Sequence, residues 1–425
     1  MKEVHAMNSL FLLRIKLSAL SVYHGLLQTE LFSSLYDLLG AMDNPPDQFA
    51  LKWGRFFSAL SSEESRAESL SDAVYNKVVY DDNVFTRAAA GGEAVDCDSS
   101  EAWSSGKTME AVRKDLSTLR ELSMLTPEDI IGAYPRKDEF GEDPLSILPT
   151  WECGTTEITT EGIVRFHMVN GCGEYAKYIA FVRRNGKCIP IANPDLVSLS
   201  SLEGYEEIRR PVVENTIAFI DGLPANNCLL YGDRGTGKSS TVKALLNEYC
   251  DKGLRLIELP KMYLSEFPDI VQEIAGLPLK FIIFIDDLSF QSGDENYTAL
   301  KGILEGGIAS RPGNALIYAT TNRRHILNET FSARQGDELH LSDTIQESLS
   351  LSDRFGVQVG FLAPDRKIYY RIIHALADER CLPVDREELE KAAEKWALKK
   401  GGRSPRTAVQ FIDHAEASIS RGLEL

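Results

Sequence analysis

The stretch Gly232-Asp-Arg-Gly-Thr-Gly-Lys238-Ser239 decides the fold of this chain, because it fits the phosphate-binding pattern G-x-x-x-x-G-K-[ST]. A short apolar run, Cys228–Tyr231, precedes it, and a helix-like run, Ser240–Tyr249, follows it. In such a unit the glycines turn backbone N–H groups inward, and the start of the helix adds partial positive charge. We predict that Lys238 contacts the β- and γ-phosphates of a nucleotide and that Ser239 binds Mg²⁺. The predicted cradle consists of Gly232, Asp233, Arg234, Gly235, Thr236, Gly237, Lys238, Ser239 and Ser240.

The composition is that of an ordinary globular protein, with 43% hydrophobic and 26% charged residues. A chain of 425 residues is long enough for two or three domains that each bury a core. Arg14 and Lys16 interrupt the apolar run Leu10–Leu13, so we expect neither a secretory signal peptide nor a membrane-spanning helix. A cytoplasmic location is therefore the expectation.

The charge and the cysteines argue against two further kinds of site. A net charge of −17 lacks the basic footprint of a broad nucleic-acid-binding face, so nucleic acid is a possible partner but not a favoured one. The seven cysteines are scattered without a CxxC pair, which argues against a cysteine metal site and against a disulfide framework.

Residues 1–145 are predicted to form a mostly helical region. Thr126-Pro-Glu-Asp129 is a helix-start pattern, with a capping hydroxyl, a proline and then acids. Trp53, Phe56 and Phe57 recur at helical spacing, which is more typical of a packed core than of a surface that binds a partner. Chemistry is not evident in this region, and its expected role is to bind a protein partner.

Residues 146–200 are predicted to form a small antiparallel β element. Ile163–Val169 alternates apolar and polar residues like a strand, and Asn185-Gly186 is a strong hairpin signal between two apolar runs. His167 lies in the first of these segments, and without partner residues at ligand spacing we expect a packed or surface histidine.

From about residue 205 the pattern becomes α/β, which indicates a parallel sheet covered on both faces. Strands are predicted at 228–231, 254–259, 280–286 and 314–320, and three helices near 366–380, 385–399 and 404–420. We therefore predict an α/β fold with a nucleotide-binding core at 201–362 and a helical lid at 363–425.

A second motif ends one of these strands, in Phe281-Ile-Ile-Phe-Ile-Asp286-Asp287. A continuous apolar run that ends in acids is typical of a buried parallel strand, which delivers the carboxylates to its C-terminal edge. Downstream of a P-loop this is the Walker B position. We predict that Asp286 holds Mg²⁺ through water and that Asp287 orients or deprotonates the attacking water.

Three more positions have both a catalytic and a structural interpretation. Asn322, at the end of the apolar run that begins at Ala315, either contacts the γ-phosphate or the water, or caps the next helix. Arg354 either supplies charge to the transition state or forms a surface ion pair with Asp353. Arg403 and Arg406, at the start of the last predicted helix, either point back at the nucleotide or form a solvated basic helix start.

The order of these elements resembles the AAA+ ATPase superfamily over roughly residues 200–425. Within it, the chain resembles an uncharacterised bacterial family of predicted ATP-binding proteins, a domain of unknown function. The strings that carry the second resemblance are Pro224–Asn227, Gly235–Ser240, Asp286–Phe290, Leu304–Gly307, Ala319–His325, Ser350–Gly356 and Gly402–Arg406.

The resemblance implies roles for individual residues. Asn322 becomes sensor 1, and Arg354 becomes an arginine finger that acts on the ATP of a neighbouring subunit. Arg406 becomes sensor 2, with Arg403 as the competing choice. A finger that acts between subunits implies an ATP-dependent oligomer, and the resemblance brings ATP and Mg²⁺ with it.

One residue departs from a common AAA+ pattern. Many of these enzymes end Walker B in Asp-Glu, whereas this chain has Asp286-Asp287. The shorter side chain of Asp287 changes its reach by about 1.5 Å, so hydrolysis is expected to be slow.

Three functions follow as hypotheses. The first is an ATPase that remodels or moves a protein partner. The second is a slow-hydrolysing loader or scaffold that acts on DNA or on DNA-bound proteins. The third and weakest is a small-molecule kinase, because the separate lid and an arginine so far beyond Lys238 fit AAA+ proteins better.

Overall fold

The structure, a computed structural model, describes residues 2–62, 69–92, 106–288, 295–304, 313–322 and 353–423. The chain divides into two compact units. The first comprises Met1–Lys177 with Gly276–Pro278, and the second comprises Tyr178–Ala275 with Leu279–Leu425. The first is built of helices and the second around one β-sheet. The finer four-part division expected from the sequence stays a prediction.

The first unit buries a helical core that contains both leucines and aromatic rings. Trp53 and Phe56 are fully buried, the ring of Trp151 lies 5.0 Å from each of theirs, and the indole N–H of Trp53 donates to the carbonyl of Pro149 at 2.7 Å. These two aromatic residues are core, as predicted, whereas Phe57 is half-buried. The helices are α1 Lys2–Ser18, α2 Glu30–Leu39, α3 Pro46–Leu60, α4 Leu70–Val79, α5 Val84–Ala90, α6 Lys107–Ser123, α7 Pro127–Ala133, α8 Pro144–Ile147, α9 Thr160–Asn170 and α10 Gly173–Lys177, with 3-10 turns at His24–Gln28 and Lys137–Phe140.

The strand predicted at 163–169 is wrong, because these residues lie inside helix α9. Thr159 caps this helix, its hydroxyl accepting a hydrogen bond from the N–H of Gly162 at 3.1 Å. The two buried side chains of α9 are Ile163 and His167, four residues apart, which is the spacing of one helical face. An alternation of apolar and polar residues over seven positions fits this face as well as it fits a strand.

His167 is a packed histidine, in agreement with the sequence. It is fully buried, and its Nδ1 lies 2.8 Å from the carbonyl oxygen of Gly171. Burial lowers the pKa of this imidazole below its ordinary value, so the ring is neutral near pH 7.

The second unit contains a seven-stranded sheet in the order β2-β1-β4-β5-β6-β3-β7. All neighbouring strands run parallel except the β1–β2 pair. The strands β5 and β6 are buried on both faces, which explains their continuous apolar sequences. The strands are β1 Ala180–Arg184, β2 Lys187–Pro190, β3 Cys228–Gly232, β4 Leu254–Glu258, β5 Lys280–Ile285, β6 Ala315–Thr321 and β7 Val357–Phe361.

The hairpin predicted at Asn185-Gly186 is confirmed, but it does not form a sheet of its own. Both turn residues have positive φ, 49° and 76°, as a tight two-residue hairpin requires. Strand β1 also pairs in parallel with β4, so the hairpin extends the large sheet. The buried guanidinium of Arg183 fixes it there through ion pairs with Glu266 (2.7 Å) and Glu273 (2.9 Å).

Helices cover the sheet and form the C-terminal lid. The three lid helices predicted from the sequence are confirmed, and they bury a common apolar core that includes Tyr369, Ile373, Phe411 and Ile412. The α/β class with a helical C-terminal part is therefore confirmed. Among the helices that the structure describes, none has the length and apolar character to cross a membrane. The helices are α11 Glu206–Ile220, α12 Lys238–Tyr249, α13 Phe267–Ile274, α14 Glu295–Leu304, α15 Arg366–Glu379, α16 Arg386–Lys399 and α17 Pro405–Ser420, with 3-10 turns at Cys250–Lys252 and Lys261–Glu266.

The strand order places one crevice at the carboxyl edge of the sheet. Strand β3 lies between β6, which comes later in the chain, and β7, which comes last. The strand that follows β3 in the chain, β4, lies on one side of it, whereas the strand that follows its neighbour β6, β7, lies on the other side. Open α/β sheets bind ligands at such a reversal of strand order. The glycine-rich loop 232–237 begins at Gly232, the last residue of β3, so the fold brings this motif to the crevice.

Candidate active site

The glycine-rich loop turns sharply between β3 and α12 because two of its glycines adopt positive φ angles that residues with a side chain seldom adopt. Gly232 has φ 128°, and a Cβ built on it would lie 2.2 Å from the carbonyl oxygen of Phe361. Gly237 has φ 92°, and a Cβ there would meet no atom within 4 Å. Gly237 is also the N-cap of α12 and has no side chain, so no capping side chain accepts a hydrogen bond from the first N–H groups of this helix.

Lys238 lies at the centre of the site and is almost fully buried, with 6% of its surface exposed. Its Nζ donates to the carbonyl oxygens of Gly232 (2.9 Å) and Asp233 (2.7 Å) and to Oδ1 of Asn322 (3.0 Å). Burial lowers the pKa of this ammonium below its ordinary value, the nearby carboxylates of Asp233, Asp286 and Asp287 oppose that shift, and Arg406 adds to it. Lys238 therefore carries a positive charge that is largely shielded from water.

Asp286 and Asp287 follow β5 and reach the same crevice. The Oδ1 of Asp286 accepts a hydrogen bond from the hydroxyl of Ser239 at 2.6 Å. Asp287 has φ 50°, a left-handed backbone that side-chain-bearing residues seldom adopt. Both side chains are exposed, so they remain accessible to a ligand.

Asn322 follows β6 and bridges the two charges of the site. Its Nδ2 donates to Oδ1 of Asp287 at 2.8 Å, while its Oδ1 accepts from Lys238. The structure thus places this side chain in the crevice, as a catalytic role requires. The alternative interpretation, a cap of the next helix, concerns residues that lie outside those described.

Thr320 is a site residue that the sequence analysis did not single out. Its buried hydroxyl donates to Oδ1 of Asp286 and accepts from the N–H of Asp287 at 2.9 Å. The sequence does contain a signal for this residue, because two threonines, Thr320 and Thr321, precede Asn322 at the end of β6. Strand alternation assigns it to the same face of β6 as Asn322, two residues on.

The two lid arginines behave differently. Arg406 lines the crevice together with Lys238, and its N–H donates to the carbonyl of Gly235 at 3.1 Å. Arg403 instead forms an ion pair with Glu394, with its Nε 3.1 Å from both carboxylate oxygens. The geometry therefore favours Arg406 over Arg403 as the lid arginine that faces a ligand.

Arg354 lies at the other end of the sheet. It comes three residues before β7, whose first residue, Val357, pairs with Cys228 at the start of β3. The loop 232–237 begins at the last residue of β3, Gly232, and a five-residue strand is roughly 16 Å long. Arg354 is exposed at the amino edge and does not reach the crevice of its own chain.

The crevice is a cavity of about 420 Å³ that collects residues from the loop, both strand ends and the lid. A smaller, more enclosed pocket of about 70 Å³ adjoins it at Thr236 and Gly237. Its walls come from residues 201–205 and from apolar side chains of the lid, among them Ile372 and Leu376. The residues that line the larger cavity are Arg234, Gly235, Thr236, Gly237, Lys238, Ser239, Ser240, Asp286, Asp287, Thr320, Asn322 and Arg406.

The donor set fits a phosphate group with a magnesium ion. The open side of Gly237, the start of α12 and Lys238 offer N–H and ammonium donors to an anion. Ser239 and Asp286 provide neighbouring hard oxygen atoms, and Mg²⁺ binds proteins through one or two such ligands while it keeps several waters. In the part of the chain that the structure describes, His, Cys, Asp and Glu side chains form no larger cluster suited to a metal ion.

Comparison with known families identifies the family of this chain. Residues 175–419, more than half of the chain, match the model of a family described as "Protein of unknown function (DUF815)". The chain belongs to this family. The match covers the sheet, the crevice and most of the lid, and together with the relatives that follow it makes the chain an AAA+ superfamily member, as the resemblance implied.

Two curated proteins are similar over shorter stretches. The 26S proteasome regulatory subunit 6B homolog of Encephalitozoon cuniculi is 25% identical over 198 residues, 45% of this chain and 49% of that protein. The proteasome-activating nucleotidase of Methanocella arvoryzae is 31% identical over 156 residues, 32% of this chain and 37% of that protein. The DUF815 chain therefore spans half or less of the length of these relatives.

Among solved structures, the RuvB Holliday junction branch migration motor of Thermotoga maritima is similar over 53% of this chain and 66% of that one. The sequences are 17% identical there, and the TM-score is 0.37.

Proposed function

We propose that this DUF815 protein binds ATP with Mg²⁺ and hydrolyses it to ADP and phosphate, and that it uses this cycle to remodel or move a protein partner. One observation carries the proposal. The side chains of Lys238, Ser239, Asp286, Asp287 and Asn322 meet in one cavity, joined by hydrogen bonds, although they come from three separate parts of the chain.

Each group has a role that follows from its charge. Lys238, Arg406 and Arg234 would bind phosphate oxygens, and Lys238 would exchange neutral carbonyl partners for anionic ones, which accept stronger hydrogen bonds. Ser239 and, through water, Asp286 would hold a Mg²⁺ ion, which would supply positive charge to offset that of the phosphates. Asp287 would orient the attacking water and take its proton, and Asn322 would hold that water or the terminal phosphate.

The smaller pocket suits the base of the nucleotide. Its lid wall contributes apolar surface from Ile372, Leu376 and Val409, and it shares Thr236 and Gly237 with the phosphate cavity. Ligand pockets are mostly apolar with a few polar groups, and a pocket with this lining suits an adenine. A base placed there would touch the lid and the core at once, so binding would be sensitive to their relative motion.

Arg354 is proposed to act on the site of a neighbouring subunit. Its place at the amino edge of the sheet leaves it unable to serve its own cavity, and its exposed position leaves it accessible to a second subunit. An arginine supplied by another subunit stabilises the charge that develops on a transferring phosphoryl group. The proposal therefore includes an oligomer that ATP stabilises, with the site completed at the junction.

The protein partner rests on the two curated relatives. They are named as a proteasome regulatory subunit and a proteasome-activating nucleotidase. On that likeness we propose a protein client, recruited by the helical first unit. The cytoplasm is the proposed location.

The test is phosphate release from ATP with and without Mg²⁺, alongside titration of binding with a fluorescent ATP analogue. Asp287→Asn should bind the analogue like the wild type and lose most hydrolysis, because the amide accepts no proton. Asp251→Asn, at an exposed carboxylate outside the cavity, is the matched control and should hydrolyse normally. Wild-type protein that binds ATP but releases no phosphate under any oligomerising condition would refute hydrolysis, and absence of binding would refute the whole proposal.

A second candidate is a slow-hydrolysing loader or scaffold that acts on DNA or DNA-bound proteins. The observation that favours it is the short carboxylate of Asp287 in place of the more common glutamate. Gel shifts with and without ATP at two salt concentrations separate the candidates. Tight, ATP-dependent binding that weakens steeply with salt would favour the loader.

A further inference from the structure

We propose that Thr320 is a positioning residue that sets the arrangement of Asp286 and Asp287 for the reaction. The inference deepens the proposed function and rests on it for its catalytic consequence. Thr320 would not itself touch the nucleotide. It would act through two carboxylates. Asp286 would hold the metal ion, and Asp287 would orient the attacking water.

One residue of β6 holds three consecutive residues after β5. The hydroxyl of Thr320 donates to Oδ1 of Asp286 and accepts from the N–H of Asp287 at 2.9 Å. Its carbonyl oxygen accepts from the N–H of Leu288 at 2.7 Å. Because Thr320 is only 2% exposed, water does not readily replace these bonds.

The backbone of Asp287 needs such a restraint. Its φ of 50° lies in the left-handed region, which a residue with a Cβ adopts only when its surroundings hold it there. Thr320 holds the N–H of this residue, and Asn322 holds its side chain at 2.8 Å. The strain at Asp287 is therefore maintained by two residues of the same strand end.

The hydroxyl also closes a continuous path of hydrogen bonds around the cavity. The path runs from Lys238 through Asn322 to Asp287, across Thr320 to Asp286, and on to Ser239, which follows Lys238 in the chain. Only a group that donates and accepts at once can occupy the middle of this path. A hydroxyl does so, whereas a methyl group of the same size does neither.

The experiment compares Thr320→Val, which keeps the shape and removes the hydroxyl, with Thr320→Ser, which keeps the hydroxyl. Thr216→Val is the matched control. Thr216 is equally buried in the same unit, and its hydroxyl contacts Tyr318 of β6 rather than a carboxylate. All three variants and the wild type are purified as the full chain, and their thermal unfolding is recorded first.

Two readouts follow on the four proteins. In steady-state hydrolysis, Thr320→Val should lower kcat roughly 10- to 100-fold with KM for ATP unchanged, as expected when hydrogen bonds to charged groups are lost. In amide hydrogen exchange without nucleotide, the peptide covering 281–288 should exchange faster in Thr320→Val. Thr320→Ser should restore both readouts, and Thr216→Val should change neither.

The outcomes separate the two proposals. If Thr320→Val keeps the wild-type exchange of 281–288, or if Thr320→Ser behaves like Thr320→Val, the positioning role is overturned. If the wild type hydrolyses no ATP, the proposed function fails, and the exchange readout still decides whether Thr320 holds the carboxylate segment. Equal losses of kcat in Thr320→Val and Thr216→Val would show a general packing effect and would also overturn the proposal.

Discussion

The two ends of β3 are held by different kinds of hydrogen bond. At the amino end the partners are neutral amides. Asn227 accepts from the N–H of Ile317 at 2.9 Å, and the side chain of Asn215 bonds both the N–H and the carbonyl of Asn226 at 2.9 Å. At the carboxyl end the partners are charged, with Lys238 buried against loop carbonyls and Asp286 bonded to Ser239.

The difference separates stability from chemistry within one sheet. Neutral amides that satisfy buried backbone groups stabilise the fold and offer little to a charged ligand. Buried charged groups lower the stability of the fold unless they are paired, and a bound ligand of opposite charge supplies such a pair. Substitutions at the amino end should therefore change unfolding, and those at the carboxyl end should change binding and hydrolysis, with Arg354 as the exception.

The largest effect is expected from Lys238→Met. Nucleotide binding and hydrolysis should both be lost, because the ammonium is the central cation of the proposed phosphate cradle. Thermal stability should stay equal or rise, since an apolar side chain replaces a poorly solvated cation. Lys243→Met, at a half-exposed lysine of the same helix, should bind normally. A Lys238→Met protein that binds ATP tightly, or that unfolds, would break the division between the two ends.

Arg354→Ala should keep ATP binding and lower kcat about 1,000-fold, the lower end of what an arginine finger contributes. Mixing it with Lys238→Met should restore part of the activity, because an intact cradle then meets an intact arginine in the same assembly. Mass measurement with and without ATP should show whether the oligomer persists. Arg386→Ala, at an exposed lid arginine, is the control. Absence of recovery on mixing would argue against action between subunits.

Asn227→Ala should lower the free energy of unfolding by about 1–3 kcal/mol, because the N–H of Ile317 loses its buried acceptor. The folded fraction should hydrolyse ATP at the wild-type rate. Asn322→Ala is the opposing variant, with hydrolysis impaired and unfolding changed less than in Asn227→Ala, because Lys238 keeps the carbonyl oxygens of Gly232 and Asp233 as partners. Chemical denaturation and phosphate release on the same samples provide both values. The comparison fails if the two asparagine variants show the same pattern.

The smallest effect is a pH dependence that belongs to Lys238. Its pKa in the folded chain lies below the ordinary 10.5, so between the two values the unfolded chain binds more protons than the folded one. Stability from this group therefore rises with pH across that window, as the burial penalty is relieved. The unfolding free energy of the wild type should gain on that of Lys238→Met as the pH approaches 10.5. A constant difference would contradict the burial of this charge.

The sequence predicted the elements of the site best where spacing and strand ends coincide. Gly232–Ser239 and the pair Asp286 and Asp287 were identified because each follows a continuous apolar strand, and parallel strands deliver their ends to one edge. The lid helices were identified from their period. At these positions the local sequence pattern indicates the same element that the tertiary structure contains.

The rest depended on contacts between distant parts of the chain. The alternation at 163–169 fits either a strand or one face of a helix, and the cap from Thr159 decided for the helix. The choice between Arg403 and Arg406 required the position of Glu394. The sequence alone did not identify Thr320, because threonine is common in strands and only the contacts of its hydroxyl with Asp286 and Asp287 indicate a role.

Strand β2 has a consequence for solubility. In an antiparallel hairpin, alternate residues turn their backbone away from the partner strand, and in β2 these are Cys188 and Pro190. Proline has no N–H to donate, so an incoming strand finds an incomplete ladder at this border of the sheet. This border of the sheet is thereby protected against pairing with the sheet of a second copy.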